Sequence, residues 1–266
     1  MRLPTSSPHA SRAGLKTNVT SHQDDAARVV AREIAGLIRA HDAAGRGTVL
    51  GLATGQTPIG VYAELVRMHR AEGLDFANVV TFNLDEYVGL GAGHPASFRR
   101  FMDERFFEHV NVPSGSIHVL DGDLAAVDVP ASCADYEAAI AAAGGIDLQL
   151  LGIGRNGHVA FNEPGTGRDS RTRLVELAPG TRADAARFFE GQGATPHHAI
   201  TMGIATVLAA RRLRVLAFGA HKSSIVRRAL VDPVGPDVPA TFLREHRDVT
   251  FCLDEAAAGE LPQETH

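Results

Sequence analysis

Hydrophobic positions along the chain follow two alternating rhythms. In "DDAARVVAREIAGLIRAHDAA" the residues Val30, Ile34, Leu37 and Ile38 recur three or four apart, which puts them on one helical face. "GTVLGLA" follows as a short apolar run ending in a loop, the pattern of a strand. "PIGVYAELVRMHR" returns to helical spacing with Ile59, Tyr62, Leu65 and Val66, and Pro58 suits its first turn. "VVTFNLDEYVGL" then reads as the second strand. Beyond it come a helix in "SFRRFMDERFFEHV", a strand in "SIHVL", a helix around "ASCADYEAAIAAA", strands in "IDLQLLGIG", "LRVLAFG" and "VTFCL", and a helix in "KSSIVRRAL".

Strands that alternate with helices predict an α/β fold, because parallel strands need crossover connections that cover both faces of the sheet. About seven strands are predicted, fewer than a closed eight-fold barrel needs, so the expected architecture is a single-domain, open, mostly parallel, Rossmann-like sheet. Residues 1–20 are expected to be a disordered tail and residues 21–266 one catalytic domain. "VDPVGPDVPA" reads as a loop.

Charge and composition narrow the classes of partner. The 266 residues are 44% hydrophobic, enough for a sizeable core, and Lys+Arg 26 against Asp+Glu 31 gives a net charge of −5. That balance offers no basic footprint for a phosphate backbone, so nucleic acid is not an expected partner. Cys133 and Cys252 stand far apart without metal-ligand spacing, which predicts neither a disulfide framework nor a metal site and fits a reducing cytoplasm. No apolar run approaches the ~20 residues of a membrane span. "MRLPTSSPHASRAGLK" lacks the apolar core of a secretory signal.

In an open α/β sheet, ligands bind beyond the carboxyl ends of the strands. Three such ends carry unusual chemistry. Thr54, Gly55, Gln56 and Thr57 lie between a strand and a helix N-terminus, where free amides and the helix dipole favour an anion. An ordinary capped turn is the alternative. A nucleotide P-loop would need a Lys before its last Ser or Thr, so a sugar phosphate fits better than ATP. At the second end, Asp85 and Glu86 close an apolar run; burial there would raise a carboxyl pKa and make a stronger base, although paired acids also begin loops and cap helices.

The third end is "LGIGRNGHVAFNEP". Gly152, Gly154 and Gly157 satisfy G-x-G-x-x-G, but "HVAFNEP" has no helical period and soon meets Pro164, so a dinucleotide fingerprint is not expected. The glycines instead permit a tight fold that projects Asn156, His158 and Glu163 into one pocket. His158 suits proton transfer near neutrality, and Glu163 could orient it; a hydrogen-bonded structural His is the alternative.

Taken in order, "ATGQTPIGVY", "VVTFNLDEYVGL", "HPASFRRFMDERFFEHV", "LGIGRNGHVAFNEPGT" and "SRTRLVEL" resemble the glucosamine-6-phosphate deaminases, within the superfamily that includes the 6-phosphogluconolactonases. The resemblance spans nearly the whole chain from about residue 20. It implies an aldose-ketose isomerisation coupled to hydrolytic deamination in amino sugar (N-acetylglucosamine) catabolism, with no metal or organic cofactor. The implied partner is a phosphorylated amino sugar. Asp85 would take the C2 proton, Glu86 would accompany it on the substrate, and His158, assisted by Glu163 and Asn156, would open the ring. Arg187 and Lys222, with the TGQT loop, would hold the phosphate.

Some members of the family carry Asp at position 156; Asn156 can only orient a neighbour by hydrogen bonding. The allosteric deaminases carry a basic residue where this chain has Val175, and a longer C-terminus than the one after "VTFCLDEAAAG". Their effector site and hexamer are therefore not expected, and the state of any homo-oligomer stays open. A lid is expected over residues 171–198, with Gly191 and Gly193 as hinges. The readings that compete are a galactosamine-6-phosphate deaminase, a 6-phosphogluconolactonase, which needs no base over C2, and a sugar-phosphate sensor, which needs no catalytic set.

Overall fold

The structure is a computed structural model and describes residues 15–189 and 195–262. Its first half runs β1 (Leu15–Thr20), α1 (Gln23–Ala43), β2 (Thr48–Leu52), α2 (Ile59–Glu72), β3 (Val79–Asn83), β4 (Asp85–Tyr87), α3 (Phe98–Arg105), β5 (Ile117–His118) and α4 (Val129–Ala142). The second half runs β6 (Leu148–Gly152), β7 (Arg173–Glu176), α5 (Pro179–Ala185), β8 (His198–Thr201), α6 (Ile204–Leu208), β9 (Leu213–Ala217), α7 (Ser223–Val231), β10 (Val249–Asp254) and α8 (Glu255–Ala258).

Seven strands form one parallel sheet in the order β1-β10-β9-β6-β2-β3-β5. Every residue of β2 and of β9 is buried, Thr48 and Arg214 included, as strands are when helices cover both faces of the sheet. Ile34 and Ile38 of α1, Leu65 of α2, and Leu50, Phe82 and Phe251 of the sheet are among the fully buried side chains of the core. The chain builds outward from β2 through β3 to β5, then returns to β6 on the other side of β2 and continues to β9 and β10. The order thus reverses between β2 and β6, and a crevice opens beyond their carboxyl ends. The two glycine-bearing loops of the sequence are the segments that leave these two strands.

The expected open, mostly parallel sheet is present, and four local expectations change. Leu15–Thr20 is an edge strand and not part of a tail, pairing in parallel with β10 from Leu15↔Val249 to Thr20↔Asp254. Its sequence LKTNVT buries no side chain fully, so backbone pairing holds it where periodicity gives no signal. Residues 1–14 lie outside the described residues. The second predicted strand is two strands in two sheets: β3 belongs to the parallel sheet, and β4 joins a three-stranded antiparallel sheet of order β4-β8-β7. Leu84 is the pivot, donating its amide to Leu52 O at 3.0 Å and accepting from Met202 N at 2.8 Å. The third helix stops at Arg105, and Phe107–His109 forms a separate 3-10 turn. The segment expected as a lid is partly sheet: β7 and β8 pair at its two ends, and α5 lies between them. Gly191 and Gly193 lie outside the described residues.

Candidate active site

A cavity of about 400 Å³ occupies the crevice at the switch point. Thr54, Gly55, Gln56 and Thr57 form one wall, directly after β2 and at the N-terminus of α2. Among the described residues the amides of Gly55, Gln56 and Thr57 donate to no backbone carbonyl, so they are free for an anion. Lys222, at the start of α7, reaches the same cavity and donates its Nζ to Ile153 O at 2.7 Å. Burial lowers its pKa; the carboxylate of Asp184 opposes that effect. Arg187 enters from the turn after α5, its guanidinium 4.8 Å from the centroid of the Phe188 ring.

Asp85 and Glu86 separate. Successive residues of a strand face opposite sides. Asp85 faces the cavity, and Glu86 turns away from it, under the N-terminus of α3. Glu86 accepts from the amides of Tyr87 (2.8 Å), Phe98 (3.0 Å) and Arg99 (3.0 Å) and from the Ser97 hydroxyl (2.8 Å). With its oxygens used in this way and only 1% of its surface exposed, Glu86 is not placed to hold substrate, which corrects the expectation that it would. It caps a helix instead.

Asp85 is the opposite case. Its side chain is 6% exposed, and among the described residues no donor reaches its carboxylate. Desolvation, and then the like charge of Glu86, push its pKa up to about 8. A buried carboxyl of this kind is a base matched to neutral or mildly alkaline pH.

His158 stands on the loop after β6 and lines the cavity. Its ring lies over Gly154, where any Cβ would come within 2.1 Å of Nε2. Gly157 has φ +89, and Ala160 holds φ +52, a conformation that L side chains rarely adopt. The loop opens no helix, as expected from the absence of helical period. Asn156 and Glu163 stand behind His158 and not in the cavity wall. Asn156 Oδ1 accepts from the His158 amide at 3.1 Å, and its Nδ2 donates to Glu163 Oε2 at 2.6 Å. The same Oε2 lies 3.5 Å from His158 Nδ1. Burial alone would raise the pKa of Glu163, but hydrogen bonds from His158, Thr181 and Asn156 outweigh it and bring the group down to about 2. Glu163 is therefore a permanent anion that orients the imidazole, and Asn156 orients Glu163.

The cavity also holds residues that sequence reasoning missed. Tyr87, Phe98 and Phe161 form an aromatic wall, with Tyr87 to Phe98 and Tyr87 to Phe161 centroids 4.8 and 5.3 Å apart. Only the strand alternation that places Tyr87 on the side of Asp85 could have signalled it. Thr181 and Asp184 come from α5, a seven-residue helix too short for periodicity to reveal. Arg155 pairs with Asp184 at 2.9 Å across the mouth. Among the described residues no group of three or more His, Cys, Asp or Glu side chains could hold a metal ion, and no helix is long and apolar enough to cross a membrane.

Comparison with known proteins identifies the family. The family model described as "Glucosamine-6-phosphate isomerases/6-phosphogluconolactonase" matches residues 21–252. A glucosamine-6-phosphate deaminase of Arthrobacter sp. (strain FB24) is 50% identical over 213 residues, 80% of this chain and 81% of that one. Glucosamine-6-phosphate deaminase 2 of Giardia intestinalis is 46% identical over 241 residues, 90% of this chain and 89% of its own. The solved structure of a monomeric glucosamine-6-phosphate deaminase superposes with a TM-score of 0.87 at 40% identity, covering 92% of this chain and 99% of that one. The 6-phosphogluconolactonase of Trypanosoma brucei shares the fold alone, with a TM-score of 0.75 at 22% identity over 93% of this chain and 98% of that one. With two thirds of these chains covered and identities near one half, the protein belongs to the glucosamine-6-phosphate isomerase/6-phosphogluconolactonase family.

Proposed function

We propose that this protein is a glucosamine-6-phosphate deaminase, converting glucosamine 6-phosphate and water to fructose 6-phosphate and ammonia. The observation that carries the reading is the pairing of chemistries in one cavity. A buried, unpartnered Asp85 with a pKa of about 8 shares that cavity with a His158 oriented by an anionic Glu163, and an anion-binding loop lies between β2 and α2. A lactonase needs only one proton carrier and a water, whereas an isomerising deaminase needs two carriers at different atoms of the sugar. The close relatives of this chain bear the deaminase name.

In this reading the TGQT amides and hydroxyls, Arg187 and Lys222 hold the phosphate, Arg through a planar fork and Lys as a point charge. His158 exchanges the proton that opens the pyranose ring. Ring opening comes first, because the C2 proton becomes acidic only beside the freed C1 carbonyl. Asp85 then takes the C2 proton and returns it at C1 while a proton passes from the C2 amine to O1, which leaves an imine at C2 that water hydrolyses to the ketose and ammonia. The proton thus moves within the site and needs no external carrier. α5, which carries Thr181, Asp184 and Ala185 on the cavity wall, is the part of the expected lid that covers the sugar. A reducing cytoplasm suits the two free, buried cysteines, Cys133 and Cys252.

The test is ammonia release from glucosamine 6-phosphate, run beside galactosamine 6-phosphate and 6-phosphogluconolactone, with Asp85→Asn as the control. Ammonia from the glucosamine sugar, lost in the variant, is the expected result. Lactone hydrolysis without ammonia from either amino sugar would overturn the reading.

A further inference from the structure

We infer that Thr181 is a positioning residue for His158, its hydroxyl joining His158 and Glu163 in one hydrogen-bonded triad, so that the imidazole is set for proton exchange only while α5 is docked. The inference deepens the deaminase reading and rests on it. Thr181 is the third residue of α5 and is 8% exposed. Its Oγ1 lies 3.5 Å from His158 Nδ1, the nitrogen that is also 3.5 Å from Glu163 Oε2. Thr181, together with His158 and Asn156, lowers the pKa of Glu163 and favours its carboxylate form.

Donor and acceptor capacity fixes the direction of these bonds. A carboxylate only accepts, and a hydroxyl has one proton and two lone pairs. The Thr181 proton therefore goes to Glu163, and its oxygen accepts from Nδ1–H of His158. This selects the tautomer that leaves the Nε2 lone pair for the substrate. Both contacts, at 3.5 Å, stand at the long end of hydrogen-bond distance.

The attachment of α5 to the catalytic loop does not depend on Thr181 alone. Ala178, the N-cap of α5, points its amide at Glu163 Oε1 from 3.4 Å, and Asp184 at the far end pairs with Arg155 of the same loop at 2.9 Å. Three contacts from one short helix thus meet the segment that carries His158. Movement of α5 away from the cavity would strip Glu163 of two donors and release the ring.

The test compares Thr181→Val, which keeps the shape and removes the hydroxyl, with Thr181→Ser, which keeps the hydroxyl. Asp85, Tyr87, Arg155, Asp184, Arg187, His221 and Lys222, the other ionisable groups of the cavity, are untouched by either change. The expected result is a kcat about tenfold lower in Thr181→Val, KM within about twofold, and recovery to within about twofold in Thr181→Ser. NMR of the His158 imidazole, without substrate, should show the tautomer altered in the valine variant and native-like in the serine variant. An unchanged kcat, a serine variant no better than valine, or an imidazole identical in all three proteins would each overturn the inference. Should Thr181→Val fail to fold, Thr181→Ala makes the same comparison. A wild-type protein that releases no ammonia overturns the deaminase reading instead, and the imidazole measurement then decides the role of Thr181 by itself.

Discussion

Replacing Asp85 by Asn should abolish turnover and stabilise the fold, with a gain that grows with pH. In the folded protein the carboxyl keeps its proton up to about 8, whereas its ordinary value is 3.8. Between those values the folded state binds one more proton than the unfolded state, so its stability falls as pH rises, by about 1.36 kcal/mol per unit. Across the whole window from 3.8 to about 8 the ceiling is about 6 kcal/mol, reached only above pH 8. An amide is uncharged at every pH and removes this penalty. The expected excess in Tm of Asp85→Asn over the wild type is therefore small at pH 5 and about 10 °C or more at pH 9, at roughly 2–4 °C per kcal/mol for a chain of this size. Thermal unfolding of both proteins at pH 5, 7 and 9, in buffers free of phosphate, reads the effect directly. Titrating groups that do not interact with Asp85 cancel in the difference between the two curves. A Tm difference that stays constant from pH 5 to 9 would refute the reasoning, because it would mean that the carboxylate is solvated or paired and holds no cost for function.

The same group sets a kinetic expectation: kcat/KM for glucosamine 6-phosphate should fall about tenfold per unit as pH drops below about 8, where the base is protonated, and a plateau extending down to pH 6 would count against Asp85 as the base. Glu86→Gln should cost about 1–3 kcal/mol of stability, since its amide group would face donors at the start of α3, while leaving KM within about twofold; a raised KM with unchanged Tm would restore Glu86 to the substrate. Lys222→Met should raise KM about 10- to 100-fold and weaken competition by inorganic phosphate in parallel; equal inhibition by phosphate in both proteins would remove Lys222 from the anion site. Gly154→Ala should lose both activity and stability, because its new Cβ would overlap the His158 ring; wild-type kcat in that variant would show that the ring does not lie where the structure places it.

Much of the layout follows from local order along the chain. Helical spacing in α1 and α2, and the largely apolar, fully buried runs of β2 and β9, announce a parallel sheet covered on both faces, because burial on two sides leaves few polar positions, Thr48 and Arg214 here, to interrupt the run. The chemistry at the strand ends is legible for a related reason. Thr54 to Thr57 and Asn156 to Glu163 sit where a strand must give way to a loop, which is where such a sheet exposes its ligand crevice. The missing helical period after Gly157 is enough to reject a dinucleotide site.

What stays hidden needs partners that are distant in sequence. Asp85 and Glu86 are adjacent acids; only the placement of β4 against β8 and α3 leaves one as an unpartnered buried carboxyl facing the cavity and makes the other a helix cap. The strand Leu15–Thr20 exists through backbone pairing with β10, more than two hundred residues away, and its side chains carry no pattern. Thr181 belongs to a helix too short to register as periodicity, and its meaning comes from lying against His158, 23 residues earlier in the chain. The sequence by itself determined which elements form and where reactive side chains cluster, because propensity and burial act over a few residues. Tertiary structure decided which of those side chains keep hydrogen-bond partners when they lose water, and that difference leaves one buried carboxyl unpartnered with a raised pKa and makes its neighbour a structural cap.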